Sequence, residues 1–428
     1  MAETVQTLSV ILADEVVGTL EQLSTGGRRF TYVDEWAEIT TPLSLSMPLR
    51  RASYGQKVTD PYLWGLLPDN HETRRSIGRQ FGVSPNNPIA LLSKIGLDCA
   101  GAVRFCYPDA VGEVLEDRGA LVPLNEQDIA ERLRALKRES TGMILAEEES
   151  WSLAGNQSKT ALRYEVGRWY SATGAQPTTH ILKPGIPQLQ SQALNEYVCM
   201  RVAEKVGLST SQVRFLEFDG ESAICVERYD RMRTQDERLV RIHQEDLCQA
   251  LSVDPDNKYP SDGGPTAERI LDLLAHAGRP EMRNRNREDF ASALFFNYLV
   301  MAPDGHAKNY SLLLLADIVR LAPLYDIASG VPYTKNFGEP RYTRAAMRIG
   351  GENRFGLINS TNLREFAGRN GFEDCWVVER FGQLSRAIPG ALEEVFDEIS
   401  TEGAPPDDYR SLREVLLKEL SDHCRTSN

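Results

Sequence analysis

The sequence predicts an α+β fold in two lobes, and three observations carry that prediction. Alternating apolar residues punctuated by turn residues fill much of the first half, apolar residues at helical spacing dominate beyond residue 240, and the chain has 428 residues. A β-rich part followed by a helical part at this length implies separate cores with a cleft between them. The expected division is 1–145 as an N-terminal β-rich part, 146–228 as a small lobe and 229–428 as a helical lobe.

The elements follow in order. Over 7–36, Leu8, Val10 and Leu12 alternate, Ala13-Asp14-Glu15 turns the chain, 16–20 returns, and Gly26-Gly27 marks a second turn. Pro42-Leu43-Ser44-Leu45-Ser46-Met47-Pro48-Leu49 alternates like a strand between prolines. Helical spacing predicts helices over 62–81 and Pro88–Ile95, then a strand over 102–107. Asn125 suits the N-cap of a helix presenting Ile129, Leu133 and Leu136 on one face. Three glutamates among small residues make 146–150 a solvated connector and the chosen boundary. Strands over 160–164 and 168–171 flank a turn at Gly167, and His180-Ile181-Leu182-Lys183 stops at Pro184-Gly185. A helix over 190–206 precedes a hairpin turned by Asp219-Gly220, with arms Val213–Phe218 and 222–228. Helices are then expected over 244–251, 266–276, 288–301, 391–399 and 409–423, with one hairpin of 310–315 and Ile318–Leu321.

Composition excludes several function classes. The 48 Lys and Arg against 61 Asp and Glu leave a net charge of −13. Sequence-blind binding of nucleic acid by this chain alone is therefore disfavoured, because that grip works through cations displacing counterions. Seven cysteines, an odd number without a CxxC, read as reduced thiols rather than disulfides or zinc ligands. The start Met1-Ala2-Glu3-Thr4-Val5 lacks the basic and apolar regions of a signal peptide, and no apolar run reaches membrane length. The expected location is the cytoplasm.

The chemistry concentrates in Pro303-Asp304-Gly305-His306-Ala307-Lys308-Asn309, between a helix and a strand. An Asp and an Asn at this spacing can serve one phosphoryl centre, the Asp accepting a hydroxyl proton and the Asn carbonyl ligating Mg²⁺. Taken alone the string also suits a polar turn. One hairpin later, Tyr325-Asp326-Ile327 sets an Asp between bulky apolar neighbours, where the protein-kinase arrangement has its metal-binding Asp. Upstream, Lys183 is the single charge of its strand, suited to nucleotide phosphates or to an exposed edge. Further upstream, Ser152-Leu153-Ala154-Gly155-Asn156-Gln157-Ser158-Lys159-Thr160 is not a Walker A loop, since Leu153 and Ser158 stand where glycine is needed. It can still cover phosphates, with Gly155 allowing close backbone approach and Lys159 supplying charge. The succession of loop, lysine strand, helix, hairpin, Asp and Asn, and second Asp is that of a bilobal protein kinase. The linker Val226-Glu227-Arg228-Tyr229-Asp230 then serves as the hinge for adenine, with Tyr229 as a flat wall.

These segments, together with Pro42–Leu49 as quoted above, Leu91-Leu92-Ser93-Lys94-Ile95-Gly96-Leu97-Asp98-Cys99-Ala100-Gly101-Ala102-Val103, Gln244-Glu245-Asp246-Leu247-Cys248-Gln249 and Ser261-Asp262-Gly263-Gly264-Pro265, resemble the HipA family of serine/threonine kinase toxins. The resemblance runs from about Val10 to about residue 420 and includes the N-terminal β-rich part. It implies a HipA-like kinase fold with Asp304 as catalytic base and Asn309 and Asp326 as Mg²⁺ ligands. It implies ATP contacts from Ala154, Gly155, Lys159, Lys183, Glu227, Tyr229, His306, Lys308, Asn309 and Asp326, and autophosphorylation at Ser152. The implied substrate is an aminoacyl-tRNA synthetase, glutamyl-tRNA synthetase foremost, whose phosphorylation stops tRNA charging and arrests growth. The implied partner is a HipB-type helix-turn-helix antitoxin that carries the contact with operator DNA. Phosphoserine at 152 would add a charge of about −1.5 to −2 beside the phosphate loop and switch the enzyme off.

Three readings stay open at this level. His306 either contacts nucleotide or braces the loop, and Glu196 is either an ion-pair partner of Lys183 or a surface helix residue. Arg279, Arg283, Arg285 and Arg287 form either a solvated interhelix loop or a phosphate-facing patch. The alternative function is a catalytically idle, nucleotide-binding co-repressor acting through the antitoxin; the presence of Lys183, Asp304, Asn309 and Asp326 together favours the active kinase.

Overall fold

The computed structural model describes residues 4–35, 38–139, 145–146, 148–334, 340–401 and 407–427. Met1–Glu3, Trp36 and Glu147, used above, lie outside them. The chain folds into two compact units, Met1–Pro184 with Leu216–Asp256 and Ser311–Arg320, and Gly185–Phe215 with Asn257–Tyr310 and Leu321–Asn428.

In the first unit, β1 (Thr4–Leu12), β2 (Glu15–Leu23), β3 (Arg28–Tyr32) and β4 (Tyr54–Gly55) form an antiparallel sheet, which β6 (Val103–Cys106) joins beside β1. The period-2 pattern is what packs it: Leu8, Val10, Leu20 and Phe30 are buried together. Between β4 and β6 lie three helices and β5 (Asp98–Cys99), which pairs in parallel with β8 (Trp151–Ser152). A second sheet runs in the order β12 (Val213–Phe218), β13 (Glu221–Glu227), β11 (His180–Lys183), β9 (Thr160–Glu165), β10 (Arg168–Ala172), β7 (Leu121–Leu124). The helix Glu126–Glu139 supplies Ile129, Leu133 and Leu136 to the core shared with Leu162, Leu182 and Cys225. Asn125 caps it as expected, accepting from Asp128 N at 2.9 Å while Asp128 accepts from Asn125 N. The pair β14 (Arg231–Arg233) and β15 (Leu239–Arg241) and the sheet of β16 (His243–Asp246), β17 (Ser311–Leu315) and β18 (Ile318–Leu321) complete the strands of this unit.

The second unit is mainly helical: Gln192–Lys205, Ala267–His276, Pro280–Leu299, Ser360–Asn370, Asp374–Thr401 and Tyr409–Thr426, with the hairpin β19 (Arg344–Ile349) and β20 (Glu352–Arg354). Its core is aromatic, with Phe295 edge-on to Phe366 and Phe381 at ring separations of 5.4 and 5.6 Å.

Several expectations are corrected. The region 62–81 is two helices, Gln56–Leu66 and His71–Phe81, because Pro68 interrupts it and Asn70 caps the second by accepting from Glu72 N and Thr73 N. Pro42–Leu49 makes no strand, only a bridge between Ser44 and Met47. The expected helix over 244–251 is β16 followed by the short helix Leu247–Ala250, capped by Asp246. Those four strand residues are buried on both faces, which erases the periodicity that identifies strands. The helix before Asp304 begins at Pro280, whose fixed φ suits a first turn, so Arg283, Arg285 and Arg287 sit on a helix and not in a loop. Arg283 donates to Gly278 O, Arg285 pairs with Asp289, and Arg287 lies over Phe372. The helix expected over 391–399 begins at Asp374, running through Pro389 because its apolar stripe from Val377 to Ile399 stays buried throughout. The acidic connector is only partly solvated: Glu148 is exposed, but Glu149 is buried and accepts from Arg132, Ser171, Trp151 and Ala146 N.

Candidate active site

In the first unit the phosphate-loop candidates gather at one end of the second sheet. Leu182 pairs with Thr160, so Lys183 and Lys159 lie at adjacent strand ends, and both are buried. Lys159 Nζ donates to Ala154 O at 2.5 Å and closes the loop on itself. Gly155 adopts φ +101°, a backbone that L side chains rarely adopt, so the loop favours glycine, and a Cβ there would also crowd Lys159 Nζ at 2.8 Å. Asp69 N donates to Gly155 O, pinning the loop to the turn after the first helix. Ser152 is fully buried, donating to Leu66 O at 2.7 Å.

The expected hinge leaves the other end of the same strand pair, since Glu227 stands opposite His180 while Ile224 stands opposite Lys183. Glu227 is exposed and Tyr229 half-buried. Tyr229 donates to Gln244 Oε1, and burial pushes its phenol pKa upward.

In the second unit, Asp304, Gly305, Asn309, Asp326, Tyr325 and Asn297 line one small cavity. The loop is laced by its own groups: His306 N and Asn309 Nδ2 both donate to Asp304 O, at 2.9 and 2.5 Å, and Asn309 N donates to His306 O at 3.0 Å. Committing the Asn309 nitrogen in this way leaves its carbonyl oxygen as the ligand end. Asp326 has φ +60°, an uncommon backbone for a residue with a side chain. Tyr325 Oη donates to Lys308 O at 2.8 Å, tying the second Asp to the first loop. Asp304 is 59% exposed while His306 beside it is 4% exposed, with Nε2 at 3.7 Å from Asp304 Oδ1. Burial at this position supports the bracing role for His306. Glu196 is 0% exposed, which removes the surface-residue reading.

The fit to a divalent cation rests on donor chemistry. Asp326 and Asn309 offer hard oxygen ligands, and Mg²⁺ takes one or two carboxylates and completes its shell with phosphate and water. Among the described residues no cluster of three His, Cys, Asp or Glu side chains forms a self-sufficient metal site, so the pair would hold the ion jointly with a nucleotide.

Two residues escaped sequence reasoning. Tyr259 donates to Asp304 Oδ1 and sets its ring edge-on to His306 at 4.7 Å. The available signal was Gly264, where a Cβ would lie 2.0 Å from Asn257 O, so this glycine turn is what presents Tyr259. Asn195 holds Ser329 by both backbone groups, donating to its O at 2.7 Å and accepting from its N at 3.2 Å. An asparagine inside a buried helix was the only hint.

Among the described residues, no helix is long and apolar enough to cross a membrane. Family comparison matches residues 8–106 to the HipA N-terminal domain and 151–399 to the HipA-like C-terminal domain. Y4mE of Sinorhizobium fredii, whose name proposes a kinase, is 36% identical over 408 residues, covering 93% of each chain. The serine/threonine-protein kinase toxin HipA of Shewanella oneidensis is 28% identical over 413 residues, covering 91% of this chain and 89% of that one. Among solved structures, HipA of Shewanella oneidensis in complex with HipB and operator DNA matches with a TM-score of 0.83 at 26% identity, over 98% of this chain and 97% of that one. The chain belongs to the HipA family of serine/threonine-protein kinase toxins.

Proposed function

We propose that this chain transfers the γ-phosphoryl group of ATP to a serine or threonine hydroxyl of an aminoacyl-tRNA synthetase, glutamyl-tRNA synthetase foremost, as the toxin of a type II toxin–antitoxin pair. The observation that carries this reading is the gathering of Asp304, Asn309 and Asp326 around one cavity. Asp304 accepts the proton of the acceptor hydroxyl as its oxygen bonds to the γ-phosphorus and the bond to ADP breaks. Asn309 and Asp326 would hold Mg²⁺, which would supply charge neutralisation at the phosphate oxygens. His306 and Lys308 stiffen the loop from within and lie against the nucleotide. From the first unit, Lys183, Lys159, Ala154 and Gly155 hold the phosphates, and the backbone of Glu227 to Tyr229 takes the adenine edge. Self-inactivation falls to Ser152, whose burial means that β8 must open before the hydroxyl can accept phosphate. A HipB-type antitoxin is the partner, and a chain of net charge −13 meets operator DNA through it and not alone.

The test expresses wild type and Asp304→Asn without antitoxin, follows growth and labelled phosphate, and maps phosphosites. Wild type should arrest growth and modify glutamyl-tRNA synthetase, and the variant should transfer phosphate about 10²–10⁴-fold more slowly. Modification of another synthetase would refute the substrate alone. Nucleotide binding without any transfer by wild type would refute the kinase and leave the idle co-repressor.

A further inference from the structure

The hinge candidate alternates in burial: Glu227 is exposed and Tyr229 half-buried, but Arg228 and Asp230 are 4% and 2% exposed. The buried pair turns onto Asp98–Cys99 and Gly101, at the end of the region matched by the HipA N-terminal domain. Asp98 Oδ2 accepts from Thr178 N at 3.0 Å, Thr178 Oγ1 at 2.7 Å and Arg228 Nη1 at 3.1 Å. Its Oδ1 accepts from Arg231 at 2.7 Å and Arg241 at 3.4 Å. Asp230 in turn accepts from Gly101 N at 2.6 Å and from Arg228 Nε at 3.0 Å. Arg228 Nη2 donates to Cys99 O at 2.7 Å, and Arg231 Nη1 to Gly101 O at 2.9 Å. Gly101 has φ +80°, and a Cβ there would lie 2.7 Å from Gln244 N, so only glycine permits this approach.

Two buried carboxylates thus face three buried guanidiniums, and half-exposed Asp117 takes the outer edge of Arg241 at 2.9 Å. Burial alone would raise the Asp98 carboxyl, but Arg231, Arg228 and Arg241 together outweigh it and hold it below the usual carboxylate range. Cys99 and Gly101 meet this network through their backbone, whereas Asp98 meets it through its side chain, which among the described residues alone joins all four of Thr178, Arg228, Arg231 and Arg241. A backbone edge recognises a base only while it is held to a fraction of an ångström, and this stretch has no helix or sheet of its own beyond Glu227.

We propose that Asp98 is a positioning residue for nucleotide recognition, fixing the 226–230 hinge from behind so that its opposite face meets adenine. The inference rests on the hinge assignment made above. It makes the N-terminal part a contributor to ATP affinity without touching the nucleotide, through a contact that phosphate groups do not use.

The full-length chain is titrated with ATP and, separately, with inorganic tripolyphosphate, both with Mg²⁺. For Asp98→Asn, ATP affinity should fall on the order of tenfold or more, because a displacement near 1 Å at a recognition edge has costs of this size or larger. Tripolyphosphate affinity should change less than about twofold, since Lys183 and the Gly155 loop are left in place. The turnover rate at saturating ATP should stay near wild type. Thr178→Val, which removes the hydroxyl that donates to Asp98 Oδ2 and accepts from Arg228 Nη1 at 2.9 Å while keeping every charge, should weaken ATP in the same selective way by a smaller factor, and it decides the matter where Asp98→Asn does not fold. Parallel loss of both ligands, or unchanged ATP affinity, would overturn the proposal. A wild type that binds tripolyphosphate but shows no preference for ATP refutes the hinge assignment itself, and one that binds neither refutes the kinase reading beneath it.

Discussion

Glu245 is a buried acid whose carboxyl has no cationic partner among the described residues, and replacing it with glutamine gives a sharp pH prediction. Its Oε2 accepts from Ser44 Oγ at 2.5 Å and its Oε1 from Leu45 N at 2.8 Å. Burial raises its carboxyl from 4.5 to about 8, against the lowering effect of those two donors, and Asp246 nearby adds to the rise. The folded protein therefore keeps this proton across neutral pH while the unfolded chain gives it up. The stabilisation is complete below pH 4.5 and is lost as pH rises to about 8. At about 1.4 kcal/mol per pH unit the full loss is about 4–5 kcal/mol. Glu245→Gln has the shape of the protonated acid and no proton to lose. Urea unfolding followed by tryptophan fluorescence, which sees buried Trp151 in the same unit, measures both proteins at pH 5 and pH 8.5. The variant should match wild type at the lower pH and exceed it by several kcal/mol at the higher. Because other groups titrate equally in both proteins, the difference isolates this carboxyl. A stability gap that is the same at both pH values would show that Glu245 is ionised in the folded state, and the reasoning would fail.

Two further substitutions probe the second unit. In Gly305→Ala the new Cβ would stand 2.9 Å from Asn297 Nδ2 and 3.3 Å from Tyr310 Oη, so either the loop or the hydrogen-bonded Asn297 amide must shift. Steady-state kinetics should show kcat down by about 10²-fold, with stability lower by about 1–3 kcal/mol. Tyr259→Phe removes the hydroxyl that occupies Asp304 Oδ1 while keeping the ring against His306. A protein acceptor no longer has to displace that hydroxyl, so its KM should fall by about 3–10-fold with the KM for ATP unchanged. A rise in acceptor KM would instead mean that Tyr259 holds the carboxylate in its working position.

Local chemistry was what the sequence made legible. Leu8, Val10 and Leu12 alternate because one face of β1 is buried, and Asp219 and Gly220 turn their hairpin through positive φ at both positions. The order of Lys183, Asp304, Asn309 and Asp326 was readable for a similar reason, since each sits next to its own strand or loop signal. Pairings across long stretches of chain were not. Ser44 meets Glu245 across 201 positions, and nothing near either residue marks the other. A strand buried on both faces, such as His243–Asp246, carries no alternation to find. Glu149 was misread because three glutamates in a row resemble a surface, and only the fold supplies Arg132 as its counter-charge. The helix expected over 391–399 was read too short because the burial that carries it from Asp374 through Pro389 is tertiary.

The surroundings of Ser152 bear on how self-inactivation would be switched. The residue pairs through a strand of only two residues, and its hydroxyl is held by one bond to Leu66 O. Such an element can open locally at little cost compared with the unit as a whole. Its two sides are unequal, however. Just upstream, Trp151 is 1% exposed in the main core and Glu149 is held by four groups. Just downstream lie Leu153 and the glycine loop, closed by the Lys159 bond to Ala154 O and the Asp69 bond to Gly155 O. Opening should therefore begin from the glycine side and stop at Trp151. The segment that must open to release Ser152 is then the same segment proposed to cover the phosphates. On that proposal, nucleotide binding would favour the closed loop and modification would need it open, so the two would oppose each other through a single local equilibrium. A phosphoserine charge at 152 would favour the open side, since a dianion cannot return to a site that holds a neutral hydroxyl against a carbonyl oxygen.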